Sequence, residues 1–213
     1  MAAPPYVSVL EQMRLAWDQK AEEDALWHSC PRQKDWSVET FLASGAADVA
    51  ALVAPRRPAI EGSGQDAPRR VLDYGCGAGR TLQALGSLAD EVVGVDISPR
   101  MLARAREIAG SQAGLRLVQG DGMTLECVRR LSFDLALAFD VLPHLPDVGL
   151  VRYTVRHFGR QLLPGGRLFA HFDTPRLSGP AIGEILRAAD LEPESMLAQG
   201  PWLWVVAAKR TPG

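Results

Sequence analysis

The chain has 213 residues, 47% of them hydrophobic and 23% charged, with a formal net charge of −2. That length suits one globular domain with room for an extra helical layer, enough to bury a core without disulfides. The near-neutral charge argues against a nucleic-acid binder, which carries a basic footprint, and no apolar run approaches the roughly 18 residues of a membrane span. Cys30, Cys76 and Cys127 are widely separated and form no CxxC or Cys/His ligand spacing, so neither a metal site nor a disulfide framework is expected. The N-terminal "MAAPPYVSVL" has no basic segment followed by a long apolar one, so no signal peptide is read and a cytoplasmic location is expected.

In chain order, residues 7–28 place Val7, Leu10, Met13, Leu15, Trp17, Ala21 and Leu26 at helical spacing. "CPRQKDW" breaks the pattern and "SVETFLASGAADVAALV" resumes it, with Ser37 and Thr40 an incomplete capping signal. "APRRPAIEGSGQDAPRR" is rich in Pro, Gly and charge and reads as a linker ending near Pro68. From Arg70 the texture changes. Strand runs "RVLDY", "EVVGVDI", "LRLVQ", "FDLALAFD", "GRLFAHF" and "WLWVVAAK" alternate with the helical stretches "TLQALGSLA", "MLARAREIAG", "LECVRRL", "VGLVRYTVRHFGRQLL" and "AIGEILRAA". Alternation of this kind predicts an α/β, doubly wound fold with a parallel sheet, its near-continuous apolar strands covered on both faces. The organisation is thus a helical cap and linker over residues 1–69 and a core over 70–213.

In such a sheet a ligand binds beyond the carboxyl ends of the strands. "VLDYGCGAGR" occupies that edge after the first strand, and its glycines allow a tight turn with exposed backbone N–H groups. A turn without a ligand is the alternative. Asp96 ends the second strand about 20 residues on, where a carboxylate takes ribose hydroxyls; Ser98 is placed to cap the helix that Pro99 begins. "QGDGM" puts Asp121 at the same edge, either against an adenine amine or capping a helix that starts near Met123.

The series "VLDYGCGAG", "VVGVDIS", "GDG", "FDLALAFDVLPHLPD" and "LLPGGRLF" resembles, in order and spacing, the core of class I S-adenosylmethionine-dependent methyltransferases. Asp73 before a GxGxG loop also favours this family over dinucleotide enzymes, whose usual fingerprint is GxGxxG. The resemblance implies a Rossmann-like sheet of seven strands with an antiparallel last one, "WLWVVAAKR", preceded by a short strand near Glu194–Gln199. It implies S-adenosylmethionine as cofactor, with S-adenosylhomocysteine as product. Asp73, Gly75 and Gly77, with Tyr74 and Cys76 in the same loop, would serve the methionine end, and Asp96 the ribose. Ile97 and Met101 would wall the adenine, Asp121 would reach its amine with Gly122 and Met123 beside it, and Phe139 and Leu142 would line the methionine side.

Displacement at a sulfonium needs alignment and water exclusion above all, and a base only where the acceptor must lose a proton. His144 in "DVLPHLPD" is the first candidate base; packing against the cofactor or fixing the loop is the alternative. His171 in "LFAHFDT" is the second, unless it packs in the sheet, and Asp140 is a third ionisable group nearby. Trp17 and Trp36 are substrate-side candidates that would close over a small molecule, or weld the cap to the core. "FDVLPHL" lacks the NPPY-like motif that resembling nucleic-acid and glutamine N-methyltransferases carry there. The expected activity is methyl transfer to an oxygen or nitrogen of a small-molecule acceptor, with no nucleic-acid or membrane partner. The rivals are an NAD-dependent oxidoreductase and a non-catalytic cofactor-binding regulatory subunit.

Overall fold

A computed structural model describes residues 7–53, 55 and 69–211; most of the expected linker lies outside these residues. Helix α1 (Val7–Ser29) is broken at Asp24, whose backbone is extended. The Asp24 carboxylate accepts the Trp27 N–H at 3.0 Å, so the break is capped from within the helix. Helix α2 (Val38–Asp48) runs on into a π turn, Val49–Val53, and Ser37 caps it by accepting the Thr40 N–H. Thr40 answers with its own side chain, its hydroxyl donating to the Ser37 carbonyl at 3.2 Å and lying 2.9 Å from Ser37 Oγ.

The core is built on β1 (Arg70–Tyr74), β2 (Glu91–Asp96), β3 (Leu115–Gln119), β4 (Phe133–Ala138), β5 (Leu162–Asp173), β6 (Leu191–Gln199) and β7 (Trp202–Lys209). They form one sheet in the order β3-β2-β1-β4-β5-β7-β6. Pairings from β3 through β5 are parallel, and β7 runs antiparallel to both neighbours. The seven-stranded, mostly parallel sheet and its antiparallel last strand agree with the sequence reading. Chain order reverses between β1 and β4, which opens a crevice at their carboxyl ends.

Side chains alternate across the sheet as strand geometry requires. Leu72 and Tyr74 of β1 enter the layer of α5 (Val148–Gln161) and α6 (Gly179–Arg187). Val71 enters the opposite layer, with Leu82 and Leu85 of α3 (Leu82–Gly86) and Leu102 and Ala105 of α4 (Pro99–Ala109). Strand β4 is buried throughout, and Phe133, Phe158, Phe169 and Phe172 are at most 2% exposed. Each such side chain contributes about 1.5–3 kcal/mol relative to exposure.

The helical reading overreaches in three places. "LECVRRL" forms only a 3-10 turn, Glu126–Val128, and no helix starts near Met123. The Asp121 carboxylate ties down Met123 N–H and both polar groups of Thr124, which holds the chain near Met123 in a turn rather than a helix. Helix α3 is shortened to five residues, and α5 stops at Gln161 because Leu162 pairs with Phe133 in the sheet.

Candidate functional site

A cavity of about 930 Å³ opens at the carboxyl ends of β1, β2 and β4, under α1. Its floor is the loop after β1. Gly75 and Gly77 have φ of +73° and +51°, which a side chain rarely tolerates. A Cβ on Gly75 would sit 2.3 Å from Val141 Cγ2, and one on Gly77 2.6 Å from Ser29 Oγ. The loop is cross-tied to β2: Gly75 and Cys76 donate their N–H groups to the Val95 carbonyl, and Gly77 donates to Asp96 Oδ2 at 2.9 Å.

Asp96 accepts a second backbone bond, from Ser98 N–H to Oδ1 at 2.8 Å, and is 9% exposed on the cavity wall. Burial raises its pKa to about 6 against the pull of those bonds. The carboxylate keeps acceptor capacity beyond these backbone bonds, the chemistry needed for donors such as ribose hydroxyls. Ser98 caps α4 by accepting the Met101 N–H, so capping and ligand binding fall to different residues. Asp73 is 3% exposed, receives the Thr81 hydroxyl and is also raised to about 6 by burial.

Ile97 and Met101 line the cavity, and Ile97 lies against Gly122, where a Cβ would come within 2.5 Å of its Cδ1. Phe139, Trp17, His144 and His171 line it as well. Cys76 is buried with its thiol pKa pushed up by burial and by the nearby Asp96 and Asp73, as befits a small packing side chain. Tyr74 lies at the cavity edge, but its ring is buried edge-on against Phe158.

Four predicted residues stand apart from the cavity wall. Asp121 spends its carboxylate on Met123 and Thr124, the turn-forming alternative of the sequence reading. Met123 and Leu142 pack on the α5–α6 side of the sheet. Trp36 donates its indole N–H to the Cys30 carbonyl and packs edge-on to Phe41, contacts that tie the end of α1 to α2 within the cap. His144 stands edge-on to Trp17, with centroids 5.2 Å apart. Desolvation and the positive charges of Lys20 and Arg176 lower its pKa against the opposing pull of Asp140.

The structure also brings in residues outside the sequence reading. Ser29 ends α1 and accepts the Ala78 N–H of the glycine loop at 3.0 Å. Asp18, 8% exposed, accepts the Ser98 hydroxyl at 2.6 Å and docks α1 beside Asp96. Asp48 lies 2.9 Å from Arg32 and 2.8 Å from Arg80, so two guanidiniums share one carboxylate on the cavity wall. Only Arg80, directly after the loop, carried a positional hint. Arg176 donates to the Leu145 and Pro143 carbonyls and holds the turn that bears His144.

A family model described as a methyltransferase domain matches residues 71–166. The ubiquinone biosynthesis O-methyltransferase of Methylocella silvestris is 36% identical over 122 residues, 52% of this chain and 45% of that protein. That of Azorhizobium caulinodans is 35% identical over 98 residues, 46% of this chain and 37% of that protein. The chain thus matches less than half the length of these curated relatives. Among solved structures, magnesium protoporphyrin IX methyltransferase from Synechocystis, with bound S-adenosylmethionine, superposes with a TM-score of 0.68 at 20% identity, covering 99% of this chain and 100% of that one. An amino pentose methyltransferase from Micromonospora echinaspora gives 0.64 at 21% identity, covering 84% and 99%.

Proposed function

We propose that the chain, whose residues 71–166 match a methyltransferase domain and whose core is one seven-stranded sheet, is a class I methyltransferase that transfers a methyl group from S-adenosylmethionine to an oxygen or nitrogen of a small-molecule acceptor. The observation that carries this reading is Asp96, buried on the cavity wall and tied to the glycine loop through Gly77. Bound there, the donor supplies a methyl group on a sulfonium whose leaving group is a neutral thioether.

The chain's own residues do the holding. Asp96 takes the ribose hydroxyls, Ile97 and Met101 wall the adenine, and Asp73 takes the amino group. The charge shared by Arg32 and Arg80 suits the carboxylate. Helix α1 roofs the site with Met13, Trp17 and Ser29 and limits water access. Alignment of two reactants in such a cavity is worth up to about 7–11 kcal/mol of barrier. At 930 Å³ the cavity is near the upper end of the roughly 300–1,000 Å³ typical of ligand sites, which leaves room for an acceptor beside the donor.

The helices of the N-terminal segment, α1 and α2, act as the cap in this reading, and the enzyme works in the cytoplasm without a nucleic-acid partner. No helix among the described residues is long and apolar enough to cross a membrane. The test is incubation of a metabolite extract with methyl-labelled S-adenosylmethionine and mass identification of the labelled product. Label on a small molecule is expected; label confined to nucleic acid or protein, or no transfer at all, overturns the reading.

A further inference from the structure

The turn after β4 presents a carboxylate that the donor site does not use. Asp140 has a left-handed backbone, with φ of 55°, and its Oδ1 lies 2.6 Å from Nδ1 of His171. His171, in β5, is 3% exposed. Phe139 stacks on it at 5.5 Å with 19° between planes, and Trp204 meets it edge-on. An imidazole so enclosed cannot swing, and it fixes the carboxylate it touches. The other oxygen, Oδ2, makes no hydrogen bond to a described residue, while the Asp140 side chain stays 34% exposed on the cavity wall.

Resting on the methyl-transfer reading, we infer that Asp140, held by His171, receives the proton of the methyl acceptor, and that this acceptor is a hydroxyl on a flat apolar ring. Oδ2 accepts the hydroxyl O–H and aims the oxygen. As an oxygen lone pair forms the new C–O bond, the C–S pair passes to the sulfur of the sulfonium donor and the proton goes to Oδ2. His171 keeps Nδ1 against both the Asp140 backbone N–H, at 3.2 Å, and Oδ1, at 2.6 Å, and is a positioning residue.

Burial alone would raise the Asp140 pKa, but the His171 hydrogen bond, with Arg32 and Arg80 further off, holds it below the usual carboxylate range. So weak a base suits oxygen. A hydroxyl becomes strongly acidic as it gains the methyl group and gives up its proton while the bond closes. An alkylammonium must lose its proton before its nitrogen can attack, for which a weak carboxylate is a poor agent. The ring follows from the wall: Phe139, Trp17, Trp202 and Trp204 all face the cavity, and aromatic faces and edges favour a flat partner.

The experiment titrates the full chain, with S-adenosylhomocysteine present, with catechol and with 1,2-dimethoxybenzene, read by tryptophan fluorescence. Wild type should prefer catechol by about tenfold or more, as for a hydrogen bond to a charged group. D140N keeps a residue that tolerates the left-handed backbone; it should lose the preference while calorimetry finds S-adenosylhomocysteine bound at wild-type affinity. H171Q releases the clamp, should weaken the preference, and should lower kcat for catechol methylation more than it raises KM. Equal affinity of wild type for both probes, or an undiminished preference in D140N, overturns the inference. Should D140N not fold, an unchanged preference in H171Q does the same. Failure of wild type to bind S-adenosylhomocysteine sinks the methyl-transfer reading itself, so the two failures are distinct.

Discussion

The two ends of the cavity are built by different means. The donor end is nearly one continuous stretch, from Val71 to Met101, in which backbone N–H groups, positive-φ glycines and two buried carboxylates do the holding. The acceptor end is assembled from α1, the turn after β4, β5 and the β6–β7 hairpin, and its contacts are made by side chains. A site made of backbone is fixed by local conformation and suits one ligand across many proteins. A site made of side chains from distant segments can be changed one residue at a time without disturbing the fold.

The largest expected effect attacks the donor end through its backbone. Gly75→Ala would force a Cβ to within 2.3 Å of Val141 at φ +73°. It should cost about 1–3 kcal/mol of stability in denaturant titration and reduce S-adenosylhomocysteine binding below calorimetric detection. Asp96→Ala should cost about 1.5–3 kcal/mol of donor affinity, the loss of a hydrogen bond to a charged group, with Trp17, His144 and His171 left in place.

Acid sharpens the same point. Asp73 and Asp96 titrate at about 6 in the fold, above the ordinary carboxylate value, so their protonated forms favour the folded state. Their contribution to stability is fully present below about pH 4 and is lost as pH rises through 6. Donor binding needs the charged carboxylates and runs the other way. Affinity should fall as pH drops through 6, by at most about tenfold per pH unit for each group, measured by calorimetry across pH 5–8. A flat profile would remove these carboxylates from the donor site.

Much of the donor end was legible because each part lies within a few residues of a strand end: the glycine loop after β1, Asp96 closing β2, Ser98 and Pro99 opening α4. Asp121 shows where that reading stops. Its position allowed a ligand contact or a local turn, and the structure satisfies it with Thr124, whose hydroxyl no spacing rule singles out. Ser29 and Asp18 act on residues 49 and 80 positions away, a separation at which periodicity and capping signals carry no information. His171 was read as a candidate from its strand, but its clamp on Asp140 needs β4 and β5 paired in register.

Smaller effects mark the boundary between the ends. Ser29→Ala leaves the Ala78 N–H without its partner and should cost about 1 kcal/mol of stability, with a comparable loss of donor affinity because the loop it braces is the donor floor. His144→Ala removes the edge contact to Trp17, worth about 0.5–1.5 kcal/mol. Donor affinity should stay at the wild-type value while acceptor turnover falls modestly. A loss of donor affinity as large as that of turnover would show that the two ends are not separable at this residue.

The most direct measurement is calorimetric titration of the full chain with S-adenosylhomocysteine and, in parallel, with NAD⁺ and NADH, on wild type and Asp96→Ala. The account predicts binding of one S-adenosylhomocysteine per chain, weakened by Asp96→Ala, and no response to either dinucleotide. Tight dinucleotide binding with no response to S-adenosylhomocysteine would contradict it.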